Sequence, residues 1–174
     1  MSKITIILIF IYISINLNAE PKYCKLSDKI LFPYSRTLYK DYHLILEGHG
    51  GAMMIDIQKI NAHYLAYERL NVNEARRLFV EVIEGLLCRY NQNMQIRPYL
   101  HNYPFTIENL NITIRFEHGK LADMGEEFVA LVFVGKNNQL IFRAYDSRSD
   151  KYIPLYTESY EVARDMVLSE YKCL

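Results

Sequence analysis

Leu110-Asn111-Ile112-Thr113-Ile114-Arg115-Phe116-Glu117 alternates strictly between apolar and polar side chains. That period of two is the mark of a half-buried strand, with Leu110, Ile112, Ile114 and Phe116 facing a core. Phe128–Val134 follows and is apolar on both faces, which suits a strand with neighbours on either side. Gly135-Lys136-Asn137-Asn138 then makes a turn, and Gln139–Tyr145 returns as its hairpin partner. Three consecutive strands with no long helical pattern between them predict an antiparallel sheet.

Working outward, the helices are placed around this sheet. Asn73 is expected to cap a helix over Glu74–Tyr90, whose Ala75, Leu78, Phe79, Val82, Ile83, Leu86 and Tyr90 form one apolar stripe. Glu74, Arg77, Glu81, Glu84 and Cys88 fall on the opposite side. Ile57–Glu68 alternates loosely and predicts a strand before it. Further upstream, Glu20–Lys29 reads as polar and irregular, and Pro33 as the opening of a helix to Leu46. Gly48-His49-Gly50-Gly51 is expected to end that helix. Downstream, Thr157 or Ser159 is expected to cap a last helix to about Tyr171, with Tyr160, Ala163, Met166 and Val167 as its apolar face. The sum is one α+β domain over residues 20–174: an antiparallel sheet of about four strands with helices packed on it, in the order α-β-α-β-β-β-α.

Residues 1–19 are expected to be a signal peptide rather than part of this domain. Lys3 supplies a positive start, Ile4–Ile15 is an almost unbroken apolar run, and Leu17-Asn18-Ala19 resembles a cleavage site. The run is short for a membrane span, which needs about 20 residues. Pro21-Lys22-Tyr23 before Cys24 is unlike a lipoprotein site. The expectation is an exported protein, periplasmic or secreted, with no membrane span after cleavage. An oxidising compartment permits disulfides. Cys24, Cys88 and Cys173 allow at most one bridge within the chain, with Cys24 and Cys173 the leading candidates.

The 174 residues carry 20 Lys+Arg against 20 Asp+Glu, and 51% are apolar. The apolar fraction supports a real core. The charge balance removes the simplest case for a nucleic-acid partner, because no cationic excess is available for phosphates. Losing the leader removes Lys3 and no acidic residue, so that conclusion stands.

Catalytic signatures are sparse. His49-Gly50-Gly51 is like an esterase oxyanion loop, but no serine sits in a Gly-x-Ser-x-Gly elbow. The same glycines lack the ending of a phosphate loop. His43, His49, His63, His101 and His118 have no zinc spacing, so no metal is expected. Asp146-Ser147-Arg148-Ser149-Asp150 imitates a calcium loop, but Arg148 occupies a ligand position. Cys88 has Arg89 beside it and Glu84 one turn back, and the carboxylate opposes a thiolate. Glu81 and Glu84 read as a solvated helix face. No cofactor motif is present.

The distinctive stretch runs from Asn91 to Phe105. Pro98 and Pro104 fix two backbone angles, and Tyr99, Leu100, Tyr103 and Phe105 can pin the loop to a core. Arg97 has the fork to bind a carboxylate or phosphate, though anchoring the loop is the favoured reading. Gly50-Gly51-x-Met53, Ala75-Arg76, Asn91-x-Asn93, Arg97-Pro98-Tyr99-Leu100 and Tyr103-Pro104-Phe105 occur in this order behind a leader. In this the chain resembles a family of short exported bacterial proteins of uncharacterised function, over about Gly48–Glu117. The resemblance implies a bacterial exported protein and carries no activity or site residues.

Two functions are expected to compete. The first is a non-enzymatic exported protein that binds an unknown protein partner or sits in an envelope assembly. Its surface would draw on the 14 tyrosines after the leader, with Tyr145, Tyr152 and Tyr156 as one candidate patch. The second is a small hydrolase or ligand-binding enzyme between Gly48–Gly51 and Arg97–Phe105, drawing on Arg97, Tyr99, His49 and His101. The first is favoured.

Overall fold

The computed structural model describes residues 21–117, 125 and 127–171. The expected leader and Cys173 lie outside them. Helix α1 spans Lys22–Tyr42, strand β1 Ile45–Ala52, β2 Lys59–Ala66 and helix α2 Val72–Gln92. Strands β3 (Leu110–Phe116), β4 (Leu131–Val134), β5 (Gln139–Asp146) and β6 (Lys151–Ser159) follow, then helix α3 (Tyr160–Tyr171). The α+β class holds. The sheet does not match the expected four antiparallel strands: among the described residues it has six, in spatial order β1-β2-β3-β4-β5-β6, and it is mixed. Neighbours are antiparallel except β2 and β3, which run parallel. A parallel pair needs a long crossover, and α2 with its following loop supplies it.

The three helices and the buried sheet positions form one cluster. Ile60, Ala62, Tyr64 and Ala66 of β2 alternate into it, as do Leu110, Ile112, Ile114 and Phe116 of β3. The other sheet face carries Asn111, Thr113 and Arg115 of β3, with Arg115 reaching both carboxylate oxygens of Glu47 at 2.9 and 3.0 Å. The strict alternation of β3 is therefore real two-sidedness. The α2 stripe is buried at every expected position.

Helix α1 starts eleven residues before the expected Pro33 (at Lys22) and ends at Tyr42, where His43 takes the left-handed conformation (φ 54°). Its buried face is Ser27, Ile30, Leu31, Tyr34, Ser35 and Leu38. Two serines in that face disguise it as polar. Ser27 hydrogen-bonds the Tyr90 hydroxyl at 2.7 Å, and Ser35 the Tyr64 hydroxyl at 2.9 Å. Each serine satisfies a phenol that burial would otherwise strand. Pro33 sits inside the helix on its exposed side, so the hydrogen bond it removes is lost on the water-facing surface.

Helix α2 is capped by Asn71 rather than the expected Asn73. Asn71 Oδ1 accepts from the Asn73 and Glu74 amides at 2.9 and 3.1 Å, and Glu74 accepts the Asn71 amide at 2.9 Å. This reciprocal cap contributes about 1 kcal/mol. Helix α3 begins directly after β6, and Thr157 lies inside that strand. Tyr160, Ala163 and Val167 are buried as expected, whereas Met166 points outward at 49% exposure.

Both strands absent from the sequence reading, β1 and β6, are edge strands. Each carries one extra residue against its neighbour, Glu47 in β1 and Leu155 in β6. Glycines mark the first and Pro154 the second. Bulges, glycine and proline are how sheets blunt their edges, and they erase the pattern that identifies a strand. Gly51 is also required sterically: a Cβ there would lie 2.1 Å from the Lys59 carbonyl oxygen on β2.

Candidate functional site

The loop after α2 is held by its own side chains. Asn93 Oδ1 accepts from the amides of Gln95 and Ile96 at 2.9 and 3.1 Å. Asn91 pairs with the Phe105 backbone as a strand would, accepting its amide at 2.7 Å and donating to its carbonyl at 2.9 Å. The Asn91 carbonyl, near the end of α2, accepts Arg97 Nη2 at 3.0 Å. The Arg97 guanidinium also lies 4.5 Å from the Tyr103 ring centre. Arg97 thus supplies charge to a helix C-terminus, where it is favourable.

On the loop's other side, backbone bonds tie it to the β1–β2 turn. The Ile57 amide donates to Tyr99 at 2.7 Å, and the His101 amide donates to Ile57 at 2.9 Å. His101 Nδ1 meets Asp56 Oδ2 at 2.7 Å with the imidazole half exposed. The Tyr99 ring lies 5.9 Å from that of Tyr23, whose hydroxyl donates to the Met54 carbonyl at 2.8 Å. His49 is elsewhere, packed edge-on against Phe32 of α1 at 4.8 Å. Of the four expected site residues, Tyr99 and His101 share the turn. Arg97 faces α2, and His49 faces α1.

What the turn displays is apolar. Met54 is 90% and Ile55 85% exposed, on a backbone clamped at Met54 and Ile57. The signal was present in the sequence: Ala52-Met53-Met54-Ile55 is an apolar run where Gly, Asn, Asp or Pro is usual.

Depressions also flank the helices. An open cleft of about 420 Å³ between α2, α3 and the Pro104–Ile107 segment holds Glu84, Cys88, Tyr160 and Arg164. Glu84 Oε1 accepts the Tyr160 hydroxyl and Arg164 Nε, both at 2.8 Å. Burial, and then the Glu84 charge, raise the Tyr160 phenol far above its ordinary value, so it stays protonated. Cys88 is exposed, as its polar-side position predicts, and none of the cleft residues is a histidine. Another depression, about 310 Å³, runs between α1 and β1.

Among the described residues no group of three His, Cys, Asp or Glu side chains is placed to hold a metal. Cys24 is half-buried in the first turn of α1, and its expected partner Cys173 is outside the described residues. No described helix is long and apolar enough to cross a membrane. Tyr145 and Tyr152 pack together at 5.6 Å, whereas Tyr156 pairs with buried Phe142 and packs near it at 6.1 Å, on the helix side of the sheet. The three do not make one patch. No family model, curated protein or solved structure matches the chain.

Proposed function

We propose that the chain is an exported, non-enzymatic binding protein that docks on a protein partner through its β1–β2 turn. The observation that carries this is the near-complete exposure of Met54 and Ile55 on a clamped backbone. Each such side chain contributes about 1.5–3 kcal/mol when fully buried. A turn already held in place keeps the ordering cost of binding low. Methionine adds an unbranched, polarisable surface that adapts to a partner pocket. The Lys3-led apolar segment supports export, and the balanced charge argues against nucleic acid.

A hydrolase would need Arg97, His49 and His101 within hydrogen-bond reach of one reacting centre. Each is instead engaged separately, with Asn91, Phe32 and Asp56 in turn. That division supports the binding reading.

The test places a photo-crosslinking residue at Met54 in the producing cell, with Lys151 as the control position. A discrete protein adduct is expected from position 54 alone. Ile55→Ser should abolish it while leaving the thermal midpoint unchanged, since Ile55 is exposed. No adduct, or crosslinking only to lipid, would overturn the proposal.

A further inference from the structure

We propose that the groove between α1 and β1 receives an extended, acidic-apolar segment of the partner, which adds to β1 as a seventh strand. The inference rests on the binding reading above and specifies how the partner engages. Among the described residues β1 pairs on one side, with β2. Its outer backbone groups are therefore a template for another strand.

The two sheet edges are unlike. Strand β6 carries Pro154, which cannot donate to a ladder, and Lys151. Strand β1 has no proline. Beyond its extra residue Glu47, it keeps regular register from Gly48 to Ala52. No charged side chain lies in that stretch, and a Cβ on Gly50 would meet nothing within 4 Å.

The groove lies at the start of this strand, before the bulge at Glu47. Ile45 and Leu46 point to opposite faces of the sheet, yet both line it. Its far wall is Phe32, Ser35, Arg36 and Tyr39 of α1. On the strand side it is lined by Leu44, Ile45 and Leu46, and the contact of Phe32 with His49 bounds it toward Gly48. An extended segment paired along Gly48–Ala52 would run on into this groove at its end. A helix beside an open strand edge is the arrangement that suits strand addition, where the main chain supplies affinity and alternate side chains specificity.

The chemistry of the occupant follows from the walls. Phe32, Tyr39 and Ile45, which expose apolar surface, ask for apolar side chains at alternate positions. Arg36 is exposed and meets no carboxylate among the described residues. It asks for an Asp or Glu side chain in the segment. A chain-terminal carboxylate would instead call for a nest of backbone amides.

The mature protein is used to select short random peptides by phage display, and the leading sequence is synthesised with both ends blocked. Selected peptides are expected to alternate apolar residues and to contain an acidic one. Methylating backbone nitrogens one at a time should weaken binding at every second position. Arg36→Glu should weaken it about tenfold, as reversal of an interface charge does. The Gly48–Ala52 amides should gain protection from hydrogen exchange. Peptides insensitive to methylation, or protection confined to Met53–Asp56, would overturn the groove and leave the binding reading standing. Failure to select any peptide would overturn the groove proposal. A dimer with β1 protected without peptide would do so as well, by assigning the edge to a second copy. The binding reading is then decided by the crosslink from position 54.

Discussion

Replacing Gly85 with alanine lowers stability by about 2 kcal/mol, even though alanine is the better helix former. In the interior of α2 the substitution should gain about 1 kcal/mol from propensity. A Cβ there, however, would lie 2.5 Å from the Tyr34 hydroxyl oxygen and 3.2 Å from the ring carbon bearing it. Tyr34 is not free to move aside. It is 4% exposed, its hydroxyl donates to the Val82 carbonyl at 2.8 Å, and the Arg89 guanidinium covers its ring at 4.2 Å. Overpacking costs about 1–3 kcal/mol, and a stranded buried hydroxyl about 1–3 more. The two together outweigh the propensity gain. The double variant Gly85→Ala with Tyr34→Phe removes the atom in conflict, so it should recover most of the loss. Denaturant unfolding of the three variants measures this. A Gly85→Ala protein at least as stable as the parent would refute the close approach of α1 and α2.

Arg76→Met is expected to cost more, about 3–5 kcal/mol. Arg76 and Glu158 join α2 to the edge strand β6 with side chains only 12% and 5% exposed. Arg76 Nε donates to Glu158 Oε1 at 2.7 Å, and Nη1 donates to Asn73 Oδ1 at 2.6 Å. Glu158 Oε2 is buried with no hydrogen-bond partner, so the arginine is the chief compensation for this carboxylate. Removing the cation alone strands a charge away from water. Replacing both residues, Arg76→Met with Glu158→Leu, leaves no buried charge and should return stability to within about 1 kcal/mol of the parent or above it. If Arg76→Met alone is as stable as the double variant, the pair is not energetically coupled.

The parts of the fold legible in the sequence are those where one physical signal acts alone. The β3 alternation and the α2 stripe follow the core directly, and both are present where their spacing placed them. The sequence pattern misleads where two signals conflict. The buried face of α1 contains Ser27 and Ser35 because distant tyrosines need partners, and no local pattern reveals that. Strands β1 and β6 hide because edge protection uses the residues that otherwise announce turns. Asn91 belongs to the Asn91-x-Asn93 motif, but its role, holding Phe105 from fourteen positions away, is tertiary. The Met54–Ile55 display was readable, since an apolar turn has no local reason to exist. Whether Arg97 faces a ligand or a helix end depends on where the loop folds back, which spacing does not encode.

The parallel contact between β2 and β3 divides the sheet into two locally connected parts. Strands β1 and β2 are a hairpin, and β3 to β6 are a sequential meander. Ala66 and Phe116, paired across the seam, are fifty positions apart in the chain. Loop-closure entropy makes such a contact late. The order of folding is then hairpin and meander first, with α2 docking to close the seam. Ala62→Gly, on the seam, should act chiefly by speeding unfolding, while Phe142→Leu in the meander should slow folding. Stopped-flow rates giving the opposite partition would reverse that order. The last contact to form is also the first to open, so the seam sets how long the folded chain survives unfolding conditions.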